Sequence, residues 1–110
     1  MLKGIFGNET TEKVLLHLIH HGESHASAIA QDFEIALTPV RGQLDRLESA
    51  GVIASKEMGR TRVYFFNPKS PYTKPLKELV GVLYQSIPLR EREALFKTRR
   101  RPRRKGKPVA

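Results

Sequence analysis

Cysteine is absent from the 110 residues, which excludes disulfides, thiolate metal ligands and cysteine nucleophiles. Long apolar runs are also missing, and none approaches the ~20 residues that a membrane helix needs. The first residues, MLKGIFGNETTEK, have no extended apolar segment ahead of their acidic residues, which argues against a secretory signal. We therefore expect a cytoplasmic protein with no membrane association.

Acidic residues are absent from the C-terminal segment, where basic residues accumulate. Residues 97–107 hold eight of the 20 Lys and Arg residues and no Asp or Glu. The other 12 basic residues are nearly balanced by 11 acidic ones, so this segment carries almost all of the net charge of +9. Because it has almost nothing apolar to bury, we predict that the segment is disordered when free. Its charge favours a role in nucleic-acid contact over that of a purely solubilising tail.

Two helices are predicted in the first third of the chain. The first begins at Asn8 or Thr10 and ends at Gly22, which suits the position after a helix C-terminus. Residues 24–25 form a short extended link. The second helix covers residues 27–33, with three inward side chains: Ala28, Ile29 and Phe33.

A third helix is predicted from its apolar spacing. The helix begins within residues 37–39 and ends at Gly51. Thr38 is the expected N-cap, and Pro39 suits the first turn. Its buried face repeats at i, i+4 and i+7 and consists of Val40, Leu44, Leu47 and Ala50.

A β-hairpin follows this helix. Two β-rich runs, residues 53–57 and 62–67, flank a short polar turn at Gly59–Arg60–Thr61. Basic residues therefore stand at the tip of the hairpin.

A fourth helix is predicted after a linker over residues 69–73. Pro75 opens it, Pro88 ends it, and residues 89–96 form a further helical turn or two. Its apolar stripe consists of Leu76, Leu79, Val80, Leu83 and Ile87. Because such a helix has little of its own domain left to cover, we expect a homodimer.

The histidines are concentrated in one part of the chain, at positions 17, 20, 21 and 25. His17 and His21 have the i, i+4 spacing that can chelate a metal on a helix. However, His20 and His21 fall at a helix C-terminus, where the dipole favours a cation, and no carboxylate stands at a fixed spacing. We therefore predict no metal site and no cofactor, although the sequence leaves metal binding by this cluster open.

Two motifs resemble the winged helix-turn-helix transcriptional regulators of the ArsR and MarR type. The sequence LDRLESAG at 44–51 closes the third helix, and GRTRVYFFNP at 59–68 closes the wing. The segment Ser27–Ala30 resembles the start of the second helix in these proteins. The resemblance covers about residues 8 to 87.

The resemblance implies that the third helix enters the major groove and that the wing contacts the backbone or the minor groove. It also implies that the homodimer forms through the first and C-terminal helices. The implied DNA-binding residues of the helix are Leu37, Thr38, Arg41, Gly42, Gln43, Asp45 and Arg46. Those of the wing are Arg60, Thr61 and Arg62. In this arrangement Arg41 pairs with guanine and Gln43 with adenine, while Asp45 either repels phosphate or holds Arg41 in place.

The expected fold is α+β and mostly helical: a winged helix-turn-helix with a three-helix core, a hairpin wing, an additional C-terminal helix and a basic tail. The expected division is a winged-helix domain over 1–73, a dimerisation segment over 74–96 and the tail over 97–110. The expected function is sequence-specific binding of double-stranded DNA by a transcriptional regulator. The tail residues expected to contact DNA are Arg99, Arg100, Arg101, Arg103, Arg104, Lys105 and Lys107.

One alternative to this function is a winged-helix module that binds protein within a nucleic-acid-handling complex. Burial of the third helix against another element would favour it. Catalysis has almost no support, because the adjacent Ser24 and His25 do not have nucleophile–base geometry and Asp32 and Glu34 form no recognisable metal motif. We predict that the chain is not an enzyme.

Overall fold

A computed structural model describes residues 3–96, which form six helices and a three-stranded antiparallel sheet. This architecture confirms the predicted fold class. The elements are α1 (Lys3–Phe6), α2 (Glu9–His21), β1 (Glu23–Ser24), α3 (Ala26–Phe33), α4 (Leu37–Ser49), β2 (Ile53–Met58), β3 (Thr61–Phe66), α5 (Thr73–Ser86) and α6 (Leu89–Leu95).

Helix α2 begins and ends where its sequence signals stand. The Asn8 side chain caps the N-terminus, where its Oδ1 accepts a hydrogen bond from the Thr11 backbone N–H at 2.8 Å. At the other end, Gly22 has φ 82°, and its N–H donates to the Leu18 carbonyl. The helix is buried on most sides.

The main core lies between α2, α3, α4 and the hairpin. Ile29 of α3 and Leu44 of α4 are fully buried there, as predicted. The core residues that contact one another are Val14, Leu18, Ile29, Ala30, Val40, Leu44, Val52, Ile53 and Tyr64.

Helix α4 starts one residue earlier than its predicted cap. Ala36 is the N-cap and makes no side-chain cap hydrogen bond, so Thr38 lies inside the helix and is exposed. Leu37 packs on the core, which favours helical geometry already at that residue. Ala50, predicted on the buried face, is exposed because the helix ends at Ser49, where the chain turns through Gly51 at φ 86°.

The hairpin is the wing, and it belongs to a larger sheet than the sequence predicted. Ser55 of β2 pairs with Tyr64 of β3, and Met58 pairs with Thr61, so Thr61 is the first residue of a strand. The tight turn therefore consists of Gly59 and Arg60, and Gly59 has φ 66°. Strand β1 lies where a short extended link was predicted, one residue earlier in the chain. It pairs with β3, so the order of strands in the sheet is β1-β3-β2.

Helix α5 and Phe96, the residue that follows α6, both pack against α2 of the same chain. This second cluster consists of Leu15, Leu16, Val80, Leu83, Ile87 and Phe96. Helix α5 therefore covers a substantial part of its own domain, which corrects the premise of the dimer argument. Leu79 and Val82 remain 38% and 72% exposed on its outer side. The homodimer and the division into three segments stay predictions.

Within residues 3–96, no helix is both long and apolar enough to cross a membrane.

Candidate nucleic-acid interface

Helix α4 and the wing border one open cleft of about 440 Å³. Arg41 and Asp45 line it from α4, and Arg60, Thr61 and Arg62 line it from the wing. Five of the predicted DNA-binding residues, separated by up to 21 positions in sequence, therefore lie at a single surface. Tyr64 of β3 lines the same cleft, and burial raises the pKa of its hydroxyl, so the phenol is neutral and able to donate a hydrogen bond.

The outer face of α4 is a helix surface open to solvent. Its exposed residues are Thr38, Arg41, Gly42, Asp45 and Arg46. Within the part of the chain that the structure describes, no other element covers this face, so the condition that would favour a protein-binding module is not met there. Leu37 differs from the prediction, because it is half-buried against the core and does not face a groove.

The two charged side chains that face the cleft from α4 do not bind each other. Arg41 and Asp45 are one helical turn apart and both line the cleft, yet among residues 3–96 neither side chain makes an ion pair or hydrogen bond. Asp45 therefore does not hold Arg41 in place, as one sequence interpretation had it. The guanidinium of Arg41 is left available to an external acceptor.

Gln43 is held within the protein. Its Oε1 accepts a hydrogen bond from Thr11 Oγ1 at 2.7 Å and another from Arg46 Nη1 at 3.0 Å. Bidentate pairing with adenine needs both the amide oxygen and the amide nitrogen, and the oxygen is already occupied. This contact instead joins α4 to the first turn of α2.

Arg62 belongs to a polar network across the wing. Its Nη1 donates to Ser55 Oγ at 2.8 Å and its Nη2 to Glu57 Oε2 at 2.7 Å. Ser55 Oγ donates in turn to Glu48 Oε2 of α4 at 2.6 Å. Glu57 compensates the charge of Arg62, so this arginine connects the wing strands to α4. Arg60, at the tip, is exposed and makes no ion pair within the described residues.

The start of α3 also reaches the cleft, through residues that the sequence did not assign to DNA binding. His25, Ala26 and Ser27 line it beside Arg41. His25 is the N-cap of α3, where its Nδ1 accepts from the Ala28 backbone N–H at 3.3 Å. A polar N-cap followed by Ser27 was the available signal, since helix N-termini favour contact with phosphate.

The predicted tail contacts lie outside the described residues. These positions are Arg99, Arg100, Arg101, Arg103, Arg104, Lys105 and Lys107.

A second cluster of functional side chains lies away from the cleft, between α2 and α3. His17 is completely buried, and its Nε2 lies 2.7 Å from Asp32 Oδ2. Packing of α3 on α2 thus supplies the carboxylate that no sequence spacing indicated. Burial lowers the pKa of His17 below its ordinary value, although the hydrogen bond to Asp32 and the charge of that carboxylate act in the opposite direction.

The other histidines of α2 contact the C-terminal helices. His20 Nδ1 lies 2.7 Å from the Tyr84 hydroxyl, and its ring stacks on Phe96 at a centroid distance of 4.6 Å. Burial, followed by the nearby charge of Arg92, lowers the pKa of His20.

Two solved structures share this fold. The antimony-specific transcriptional repressor AntR matches with a TM-score of 0.58 and 21% identity, over 77% of this chain and 75% of its own. A MarR family transcriptional regulator from Silicibacter pomeroyi DSS-3 matches with a TM-score of 0.57 and 16% identity, over 87% of this chain and 68% of its own.

One curated relative is similar in sequence, an uncharacterized HTH-type transcriptional regulator from Methanocaldococcus jannaschii. It is 35% identical over 60 residues, which is 54% of this chain. The chain spans only 15% of the length of that relative. No protein-family model matches. All three similar proteins are described as regulators of transcription and not as enzymes. The chain therefore has the winged helix-turn-helix fold, and it is similar to transcriptional regulators of the ArsR and MarR type, as its helix and wing motifs indicated.

Proposed function

We propose that the chain is a transcriptional regulator that binds double-stranded DNA in a sequence-specific manner, with α4 in the major groove and the wing on the flanking backbone or minor groove. The observation that carries the proposal is the open cleft between α4 and the wing, with Arg41 on one side and Arg60 on the other. A recognition helix with an uncovered polar face can reach base edges, and a basic wing tip beside it can reach phosphates.

In this proposal Arg41 provides the principal base contact. Its guanidinium has no partner within the described residues, and bidentate binding to O6 and N7 of guanine matches its geometry. Asp45 repels phosphate but can accept a hydrogen bond from N4 of cytosine. Arg41 and Asp45 together therefore favour a step that contains a C·G pair. Thr38 lies one turn before Arg41 on the exposed face, so its side chain contacts the same part of the groove.

Binding as a homodimer would place two α4 helices in successive major grooves, about 34 Å apart. The exposed Leu79 and Val82 on α5 are the apolar side chains that such a dimer would cover. The tail at 97–107 would contact phosphates with little sequence preference and raise the affinity for all duplexes. A DNA-binding role also fits the expected cytoplasmic location.

Selection of bound duplexes from a random pool tests the proposed function directly. We expect the wild-type chain to enrich a motif with two half-sites about one helical turn apart. Arg41→Ala should lose the preference at one base pair of each half-site, at a cost of about 1–3 kcal/mol in discrimination, while general binding persists. Lys69→Ala, which removes an exposed positive charge outside the cleft, is the control and should leave the base preference unchanged. Failure of the wild-type chain to enrich any motif would contradict sequence-specific recognition.

Arg60→Ala should weaken binding to all duplexes by a similar factor, because the wing tip contacts phosphate. We expect the slope of log K against log[salt] to become less steep by about 1. Arg62→Ala is the matched control on the same hairpin, since Glu57 already compensates that guanidinium, and it should change the slope less. Fluorescence anisotropy across a salt series measures both. A larger slope change for Arg62→Ala would contradict the proposed role of Arg60.

A further inference from the structure

We propose that His17, His21 and Asp32 form a binding site for a divalent transition-metal ion such as Zn²⁺. One ligand atom from each of the three residues lies within 4.8 Å of the other two. His17 and His21 stand one turn apart on α2, and Asp32 comes from α3. The site is separate from the cleft between α4 and the wing, so it does not depend on the proposed DNA contacts.

The donor set matches the chemistry of borderline divalent metals. Imidazole nitrogens bind Zn²⁺, Cu²⁺, Ni²⁺ and Co²⁺, and a carboxylate oxygen adds a negative charge that stabilises the dication. Two histidines and one carboxylate leave a fourth tetrahedral position for water. Hard cations such as Mg²⁺ and Ca²⁺ prefer all-oxygen ligands, which this cluster does not provide.

The burial of the cluster distinguishes it from a chance surface grouping. His17 is 0% exposed and Asp32 only 5% exposed. His17 Nδ1 is buried and has no hydrogen-bond partner among the described residues, which is uncommon for an interior polar atom. A ligand in this cluster accounts for placing a histidine ring and a carboxylate together in the interior beside the half-buried His21.

Aromatic rings form the outer wall of the site. The Phe33 and Phe96 ring centroids lie 6.2 and 5.8 Å from that of His17. An apolar shell of this kind limits access of water and strengthens electrostatic attraction between the ion and its ligands. His20 lies beside the cluster, but its Nδ1 is hydrogen-bonded to Tyr84, so it supports the wall and is not part of the ligand set.

Small movements suffice to complete the coordination. Ligand atoms about 2.0–2.1 Å from a tetrahedral zinc lie about 3.4 Å apart. The candidate ligand atoms already lie within 4.8 Å of one another, so small shifts of the side chains bring them to this spacing. His21 is the last residue of α2 and is followed by Gly22 at φ 82°, so its side chain sits where the helix can adjust most easily.

Titration of the metal-free full chain with Zn²⁺, in competition with a chromophoric chelator, tests the proposal. We expect saturable binding of one Zn²⁺ per chain. His21→Ala should weaken it by more than the roughly 10–100-fold typical of losing an outer-shell partner, because a direct ligand is removed. His25→Asn is the matched control: it removes a histidine outside the cluster and retains a good N-cap for α3, so the affinity should not change.

Two further measurements keep the result independent of folding defects. Zn²⁺ should raise the Tm of the wild-type chain and of His25→Asn but not that of His21→Ala, since only a ligand of the folded state stabilises it. Co²⁺ should give the intense visible absorption of a four-coordinate site in the wild-type chain, and Asp32→Asn should weaken it. No saturable Zn²⁺ binding, or equal affinity in the wild-type chain and His21→Ala, would overturn the proposal.

Discussion

Deletion of residues 97–110 is expected to produce the largest loss of DNA affinity. If the tail neutralises four to six phosphates, it contributes about −4 to −5 to the slope of log K against log[salt]. Over a fourfold rise in salt, the full-length chain should then lose about 10²–10³-fold more affinity than the truncated chain. Fluorescence anisotropy with random and selected duplexes measures both slopes.

The truncation must retain Phe96, whose ring is buried against the histidines of α2. A full-length variant with the eight basic residues of 97–107 replaced by Gln is the matched control, because it keeps the length and removes only the charge. Both variants should lose affinity equally for random and selected duplexes, since phosphate contacts carry no sequence information. An unchanged slope in both would show that the tail does not contact DNA.

His17→Leu should cause the largest loss of stability among single substitutions away from the apolar core. The substitution keeps a similar volume but removes the imidazole that contacts the buried carboxylate of Asp32. Loss of one partner of a buried hydrogen bond to a charged group typically lowers the free energy of unfolding by about 1–3 kcal/mol or more. Urea denaturation followed by circular dichroism, in a buffer that contains a metal chelator, measures this change without any contribution from bound metal.

The double variant His17→Leu Asp32→Ala distinguishes loss of the pair from loss of packing. Removing the carboxylate as well should restore most of the lost stability, because an apolar replacement of both partners is often neutral. A double-mutant cycle then gives a large favourable coupling between the two side chains. Additive losses in the double variant would mean that the effect of His17→Leu comes from packing and not from the contact with Asp32.

The local sequence was sufficient to predict the elements that form the cleft. The spacing of Val40 and Leu44 predicted the buried side of α4, and Gly59 predicted the turn of the wing, because both signals depend on neighbouring residues. Helix α4 starts at Leu37, within the predicted range 37–39, but its N-cap is Ala36 and not Thr38. The packing of Leu37 on the core outweighed the preference for a polar cap. Strand β1 was missed because two residues show no periodicity and pair only once β3 lies beside them.

The roles of single polar side chains depended on contacts that no local pattern encodes. Gln43 looked suitable for reading adenine, yet its oxygen accepts from Thr11, 32 residues earlier in the chain. Arg60 and Arg62 look equivalent in the sequence, but only Arg62 stands directly opposite Glu57 in the strand register. Side-chain partners of this kind are fixed by how helices and strands pack and pair.

By itself, the sequence determined the order of helices and wing, the basic tail and the absence of thiolate chemistry, because composition and periodicity act locally along the chain. Only the tertiary structure decided which polar groups share an environment. It brought Arg41 and the wing tip to one cleft, and it placed Asp32 against His17 in the interior. The physical reason is that burial and hydrogen bonding act between neighbours in space, and packing of α3 on α2 determines those neighbours.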